Sequence, residues 1–236
     1  MLAGNIVQVR FERKALSAAV GPTCCSGREQ RSKTAHAGSA IPIPSMKDSL
    51  RKQLRAQRRS LSAYDHRHRS LAAAKAIMRL RRFSAGKRVA LYLPFDREVD
   101  TAALIGAAQQ RGVQIFVPFI SDRRHCRLRF YPLKGETTPG AFGISVPRLR
   151  ARPVSPQWLD LIVVPLVGVD GGGRRLGMGG GYYDRALAFR RRRSSWKGPH
   201  LVGLAFQCQR TDLKFAEAWD IQLNSLATET GVEQFS

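Results

Sequence analysis

Cysteine, acidic residues and long apolar runs are all scarce in this chain, and each shortage removes a class of protein. The cysteines in 236 residues number four: the adjacent pair Cys24 and Cys25, which does not readily close on itself, and the distant singles Cys126 and Cys208. This spacing supports neither a secreted disulfide framework nor a Cys-x-x-Cys metal or redox site, so a reducing cytoplasm is the expected compartment. The five histidines add no ligand set, since His66 and His68 stand two apart and fall on different faces of a helix. No uncharged apolar run approaches the ~18 residues of a membrane span, and no membrane partner is expected. The longest hydrophobic stretch is Leu161 to Val169. With 17 Asp and Glu against 40 Lys and Arg, the formal net charge is +23. Such an excess asks for anionic partners, either nucleic acid or small phosphorylated and carboxylated molecules. Arginine is spread over the whole chain, however, which argues against a dedicated nucleic-acid groove. What remains is 43% apolar, enough to bury a core in one domain plus some extra chain.

That extra chain is the first 45 residues. Pro, Gly, Ser, Thr and Ala crowd Ala18 to Ser45, hydrophobic periodicity is absent, and the stretch ends in Ile-Pro-Ile-Pro, which cannot continue a helix. The expectation is a disordered extension. Its Arg-rich, acid-poor character suits an organelle-import leader, and an upstream start codon read in error fits equally well, because Met46 stands where organised sequence begins.

From Ser45 the text becomes regular. Ser45-Met-Lys-Asp48 has the spacing of a helix cap with an acid at the third helical position, and Leu50 and Leu54 follow four apart, predicting a helix to about Arg59. Ser62-Ala-Tyr-Asp65 repeats the signal, with a second helix ending near Arg82. Beyond Gly86, strands and helices alternate. Arg88–Pro94 reads as a strand, Asp100 or Thr101 caps a helix closed by Gly112, and Gln114–Pro118 is the next strand. This βαβ unit predicts an α/β domain with a parallel sheet. Arg127–Leu133 and Phe142–Val146 read as further strands. Leu159–Val167 is apolar without alternation, as befits a central strand covered on both faces. A helix is expected from near Gly181, carrying Tyr182, Tyr183, Ala186, Leu187 and Phe189, and Leu201–Phe206 is another buried strand.

Eight of the fourteen residues from Gly168 to Gly181 are glycine. They lie between the most buried strand and a helix, where open α/β sheets place ligands and where free N–H groups attract anions. Glycine lets backbone amides approach phosphate oxygens, and Arg174 and Arg175 add charge. A phosphate cradle is expected here; the competing reading is a surface loop with a glycine turn. No Gly-Lys-Ser/Thr follows, so it is not a Walker loop, and Gly177-x-Gly179-x-Gly181 lacks the dinucleotide-binding spacing.

The string Arg175-Leu-Gly-Met-Gly-Gly-Gly-Tyr-Tyr-Asp-Arg185 resembles the RLGxGxGYYDR signature of the 5-formyltetrahydrofolate cyclo-ligase family. Other segments fall in that family's order: Lys47-x-x-x-Arg51, Tyr92 to Thr101, Leu159 to Pro165 and Trp219-Asp220. The resemblance spans Met46 to about Gly231 and implies a catalytic domain over 46–236. Its fold would be a single-domain three-layer sandwich, a mostly parallel Rossmann-like sheet with helices on both faces. The implied activity is ATP- and Mg2+-dependent conversion of 5-formyltetrahydrofolate to 5,10-methenyltetrahydrofolate, with release of ADP and phosphate, by a monomer without a specific nucleic-acid partner. Chemistry of this kind rests on positioning and on neutralising phosphate charge, which agrees with the absence of any Ser/His/Asp or Cys/His constellation.

By position, the resemblance assigns ATP contacts to Lys47, Asp48, Ser49, Leu50 and Arg51 on the first helix and to Arg175, Leu176, Gly177, Met178, Gly179, Gly180, Gly181, Tyr182 and Tyr183. It assigns folate contacts to Leu93, Phe95 and Glu98 and to Met178 through Tyr182, catalytic roles to Arg175 and Tyr182, and magnesium to Asp184 and Asp220. Without it, Lys47 and Arg51 read as a solvated basic face and one of the two tyrosines as core. Val146 before Pro147 departs from the Glu or Gln that relatives often carry there, and Asn224 stands where relatives often have Asp. Two alternatives remain: a basic nucleic-acid-binding protein, motivated by Arg190–Arg193, and a catalytically silent folate-binding relative.

Overall fold

In the computed structural model, the described residues are 45–122, 124–133, 137–139, 145–147, 152–192, 198–213, 215, 217 and 220–235. Residues 1–44 of the proposed extension, the Phe142–Ile144 part of the expected strand, Arg193 and Trp219 lie outside them, whereas Ser45, counted with the extension, belongs to the first helix as its cap.

Both capping signals form as the sequence predicts. In α1 (Met46–Ser60) the Ser45 hydroxyl oxygen accepts the Asp48 N–H at 3.2 Å, and in α2 (Ala63–Met78) Ser62 accepts the Asp65 N–H at 2.9 Å. The second helix stops at Met78, short of Arg82. Strand β1 (Arg88–Ala90) is shorter than the apolar run suggests, because the chain leaves the ladder beyond Ala90 and extends toward the site. For α3 (Ala102–Arg111), Thr101 holds the cap position, but it is the Asp100 carboxylate that accepts the Ala102 N–H, at 2.8 Å. Thr101 turns inward and donates to the Tyr92 carbonyl. Gly112 ends this helix in the left-handed conformation.

The remaining strands are β2 (Gln114–Asp122), β3 (Arg127–Pro132), β4 (Thr137–Pro139), β5 (Ser145–Pro147), β6 (Leu161–Pro165), β7 (Gly168–Val169), β8 (Arg175–Leu176), β9 (His200–Leu204), β10 (Ser225–Thr228) and β11 (Gly231–Gln234). Among the described residues, six of these join β1 in one seven-stranded sheet, in the order β11-β10-β9-β6-β1-β2-β3. The five inner strands run parallel, and β3 and β11 close the edges antiparallel. β4 pairs with β5 and β7 with β8 in two small antiparallel ribbons.

Strand β6 shows why its sequence does not alternate. Leu161 and Val163 enter the core under α2 and α3, with Ala73, Ile77, Leu104 and Ala108, while Ile162 and Val164 enter the opposite core with Leu187, Leu201 and Leu226. Helices cover both faces, giving the Rossmann-like three-layer arrangement. On the second face the helix is smaller than expected: α4 (Tyr182–Ala186) spans five residues and passes into a 3-10 turn at Ala188–Arg192. A third cluster seats α1 through Leu50 and Leu54 on Val167, Leu176 and Phe215. Gly168 permits that close approach, since a Cβ there would stand 2.3 Å from Leu54 Cδ1.

Candidate functional site

The chain goes from β1 to β2 on one side of the sheet and from β6 to β9 on the other. The crevice beyond the carboxyl ends of β1 and β6 is therefore the topological switch point where such sheets hold ligands. A cleft of about 730 Å³ opens there. Lys47, Arg51, Leu93, Phe95, Glu98, the loop from Arg175 through Tyr183, Asp184 and Asp220 all line it, although they are scattered over 174 positions of sequence.

Three of the assigned residues stand elsewhere. Leu50 points into the α1 cluster and is buried, Asp48 pairs with Arg51 at 2.6 Å on the surface, and Ser49 is exposed. Lys47 and Arg51, four apart, share the helix face that lines the cleft.

The loop bank of the cleft is mainly backbone. Gly179 and Gly181 adopt left-handed conformations with φ of 96° and 62°. Arg51 Nε donates to the Gly177 carbonyl at 2.9 Å and Arg185 to the Gly180 carbonyl at 2.8 Å, so guanidinium groups brace the loop from two sides. Arg175 is nearly buried; it donates to Asp184 Oδ1 at 2.7 Å and lies 5.6 Å from the Tyr183 ring centre. Tyr183 is the tyrosine that packs against the second core, and burial pushes its phenol far up.

The floor carries the acids. Lys47 Nζ meets Glu217 at 2.6 Å and Asp220 at 3.7 Å. Asp220 Oδ2 accepts the Glu217 N–H, Asp184 Oδ1 accepts the Ile221 N–H at 3.4 Å, and both aspartates line the cleft. Two carboxylates next to a cationic pocket are a donor set that suits magnesium, whose other positions go to substrate oxygens and water. Among the described residues no group of three or more His, Cys, Asp or Glu gathers as a metal site.

The opposite bank is side-chain built and drier. Leu93, Phe95, Pro118, Ile120 and Leu128 form an apolar wall around Glu98. The Glu98 carboxylate accepts the Phe95 N–H at 3.0 Å, and its own N–H returns to the Phe95 carbonyl. Burial pushes its pKa up to about 7, with the Phe95 N–H and Arg58 opposing and the Asp96 charge adding to the rise.

Several residues of the site were not singled out from the sequence. Glu217 gives no local signal, Pro118 and Leu128 read simply as strand residues, and Ile120 falls beyond the strand predicted to end at Pro118, which in the structure runs on to Asp122; only sheet pairing brings them here. Asn224 proves structural: its side-chain oxygen accepts from the Leu201 N–H at 2.8 Å and from Arg190 at 3.2 Å. Arg190, from the run that motivated the nucleic-acid alternative, also donates to the Pro199 carbonyl and is half-buried.

Comparison with known proteins agrees with this picture. Residues 44–229 match the 5-formyltetrahydrofolate cyclo-ligase family, and the chain belongs to that family. It is 32% identical over 182 residues to a 5-formyltetrahydrofolate cyclo-ligase of Haemophilus influenzae, covering 75% of this chain and 94% of that one. It is 33% identical over 184 residues to the Escherichia coli K12 enzyme of the same name, covering 76% and 98%. Among solved structures, 5,10-methenyltetrahydrofolate synthetase of Aquifex aeolicus superposes with a TM-score of 0.68 at 32% identity, over 80% of this chain and 92% of that one.

Proposed function

We propose that the chain closes the ring of 5-formyltetrahydrofolate in an ATP-dependent reaction, yielding 5,10-methenyltetrahydrofolate, ADP and phosphate. The observation that carries this reading is the division of one cleft into a glycine-loop bank braced by Arg51 and Arg185, with Arg175 paired to Asp184 beside it, and an apolar bank holding the Glu98 carboxyl group. The first suits a triphosphate; the second suits a flat, hydrogen-bonding heterocycle.

A formamide carbon is a poor electrophile and its oxygen a poor leaving group. Transfer of the terminal phosphoryl group of ATP to that oxygen breaks the bond between that phosphorus and the oxygen bridging it to ADP, releasing ADP. The neighbouring folate nitrogen then attacks the carbon, its proton departs, and the oxygen leaves as phosphate. No protein nucleophile is required, and the tasks left to this chain are alignment and charge compensation. Lys47, Arg51 and Arg175 offset the triphosphate charge. Asp184 and Asp220 would hold magnesium, which when bound neutralises phosphate oxygens. Leu93 and Phe95 would face the ring system and exclude water, and Tyr182, lining the cleft at the start of α4, is the side chain assigned to both ligands.

The test is formation of the methenyl chromophore after mixing the chain with 5-formyltetrahydrofolate, ATP and magnesium. Absorbance should rise only when all three are present. Binding of the folate without any turnover would replace this reading with that of a silent relative.

A further inference from the structure

The turn that presents Phe95 and Glu98 to the cleft is built around a residue to which no role has yet been given. Asp96 and Arg97, at its centre, both adopt left-handed conformations, with φ of 51° and 60°, which non-glycine residues rarely occupy without outside help. That help comes from α1. Arg55 Nε donates to Asp96 Oδ2 at 2.9 Å, Arg59 Nε donates to Oδ1 at 2.6 Å, and Arg58 donates to Oδ2 at 3.1 Å and to the Asp96 carbonyl at 2.8 Å. Arg58 is wholly buried, reaches the Leu166 carbonyl on the cleft floor at 3.4 Å, and leaves its Nε without a hydrogen-bond partner. A buried guanidinium with an unsatisfied N–H is costly, and the opposite charge that compensates it is the Asp96 carboxylate. From α2, His66 Nε2 meets the carbonyls of Arg97 and Glu98 at 3.2 and 3.0 Å, holding the far side of the same turn.

One helix therefore serves both banks. The amino-terminal half of α1 carries Arg51 to the glycine loop and Lys47 to the acids of the floor, and its carboxyl-terminal half grips the opposite turn through Asp96.

We infer that Asp96 is a positioning residue for the heterocycle-binding bank: clamped by Arg55, Arg58 and Arg59, it holds the 95–98 turn so that Phe95 and Glu98 face the cleft. Asp96 itself does not line the cleft and acts through its neighbours. The inference rests on the folate reading for its kinetic consequence and stands apart from it for its structural one. The charged and titratable groups around Glu98 are Arg58 from α1, Tyr92 beyond β1, Tyr183 from α4, Asp96 within the turn and, at the backbone, His66 from α2.

Asp96→Asn keeps the shape of the side chain and removes its charge, and Arg59→Gln removes an outer cation while sparing Arg58. Kinetics are compared at a temperature where circular dichroism shows each variant folded. Asp96→Asn should raise KM for 5-formyltetrahydrofolate about tenfold or more and leave KM for ATP within about twofold, and Arg59→Gln, which removes only the outer arm of the clamp, should raise the first by a smaller factor of about two to three and leave the second within about twofold. Equal rises in both constants, or none, would overturn the inference. The second readout needs no substrate: carboxyl-carbon NMR of the ligand-free chain follows the Glu98 titration. In Asp96→Asn its midpoint should fall from about 7 toward the ordinary carboxylate range, because release of the turn exposes the group and the neighbouring negative charge is gone. An unmoved midpoint would overturn the inference whether or not the chain proves to be a cyclo-ligase. An inactive wild-type chain would sink the folate reading alone.

Discussion

The two banks of the cleft are made by different means. The loop bank, Arg175 to Gly181, is a run of adjacent residues whose useful groups are backbone atoms, with glycine at the two positions of positive φ. The other bank is assembled from β2, β3, the chain beyond β1 and, at one remove, α1, and its useful groups are side chains. A backbone site tolerates exposure because water can satisfy what the ligand does not. A side-chain site containing a half-neutral carboxyl and a buried guanidinium must be closed and paired to exist.

The strongest way to break the side-chain bank is Asp96→Ala. It leaves Arg58 charged and buried without its partner, and should cost about 3–5 kcal/mol of stability in denaturant unfolding. Asp96 also gives an acid limb. Burial alone would raise its pKa, but hydrogen bonds from Arg59 and Arg55 and the charges of Arg55 and Arg58 outweigh that and hold it below 3.8. Its contribution is thus present above that value and lost as pH falls below it.

Next come Arg175→Ala and Asp184→Ala, which remove the two halves of one partly buried pair on the loop bank. Each should lower the rate of methenyl formation by about 100-fold or more, the range seen when a preorganised charge-stabilising group is lost. Rates within twofold of wild type in both would remove the loop from the chemistry.

Glu98→Gln sharpens the contrast through pH. The folded pKa of about 7 lies above the ordinary 4.5, so between those values the native chain keeps a proton that the unfolded chain has released. The stability this group contributes is complete below 4.5 and lost as pH rises through 7. The glutamine variant cannot ionise, and moving from pH 5 to pH 8 it should gain on the wild type by on the order of 2 kcal/mol, read from denaturant midpoints. A constant difference across that range would mean that Glu98 is not held in a dry site.

Gly179→Ala probes the backbone bank at φ of 96° and should cost about 1–2 kcal/mol, with activity lost more than stability because the loop can shift at the cleft edge. The smallest effect is expected for Arg59→Gln, a half-exposed partner of Asp96, at about 0.5 kcal/mol or less.

The banks also differ in how far they could be read in advance. Ser45 and Ser62 announce α1 and α2 because a cap is a local hydrogen bond three residues long, and Lys47 and Arg51 share a face by helical repeat. The glycine cluster announces the loop for the same reason of adjacency. Glu217 was invisible because its partner Lys47 lies far off in sequence and meets it only when α1 docks. Asp96 carried no signal of its own in the sequence, and three arginines on one helix converge upon it. The short α4 was overestimated because a helical pattern says where apolar residues recur, not where packing under Leu187 turns the chain aside.

Sequence alone determined the parallel α/β core, the two caps and the glycine loop, since each depends on periodicity or on contacts a few residues long. The tertiary structure decided which helix faces meet the crevice, which acids stand opposite which cations, and that a buried arginine would hold the turn bearing Glu98. Those outcomes depend on distances and desolvation between segments far apart in the chain, quantities that exist only once the sheet has closed.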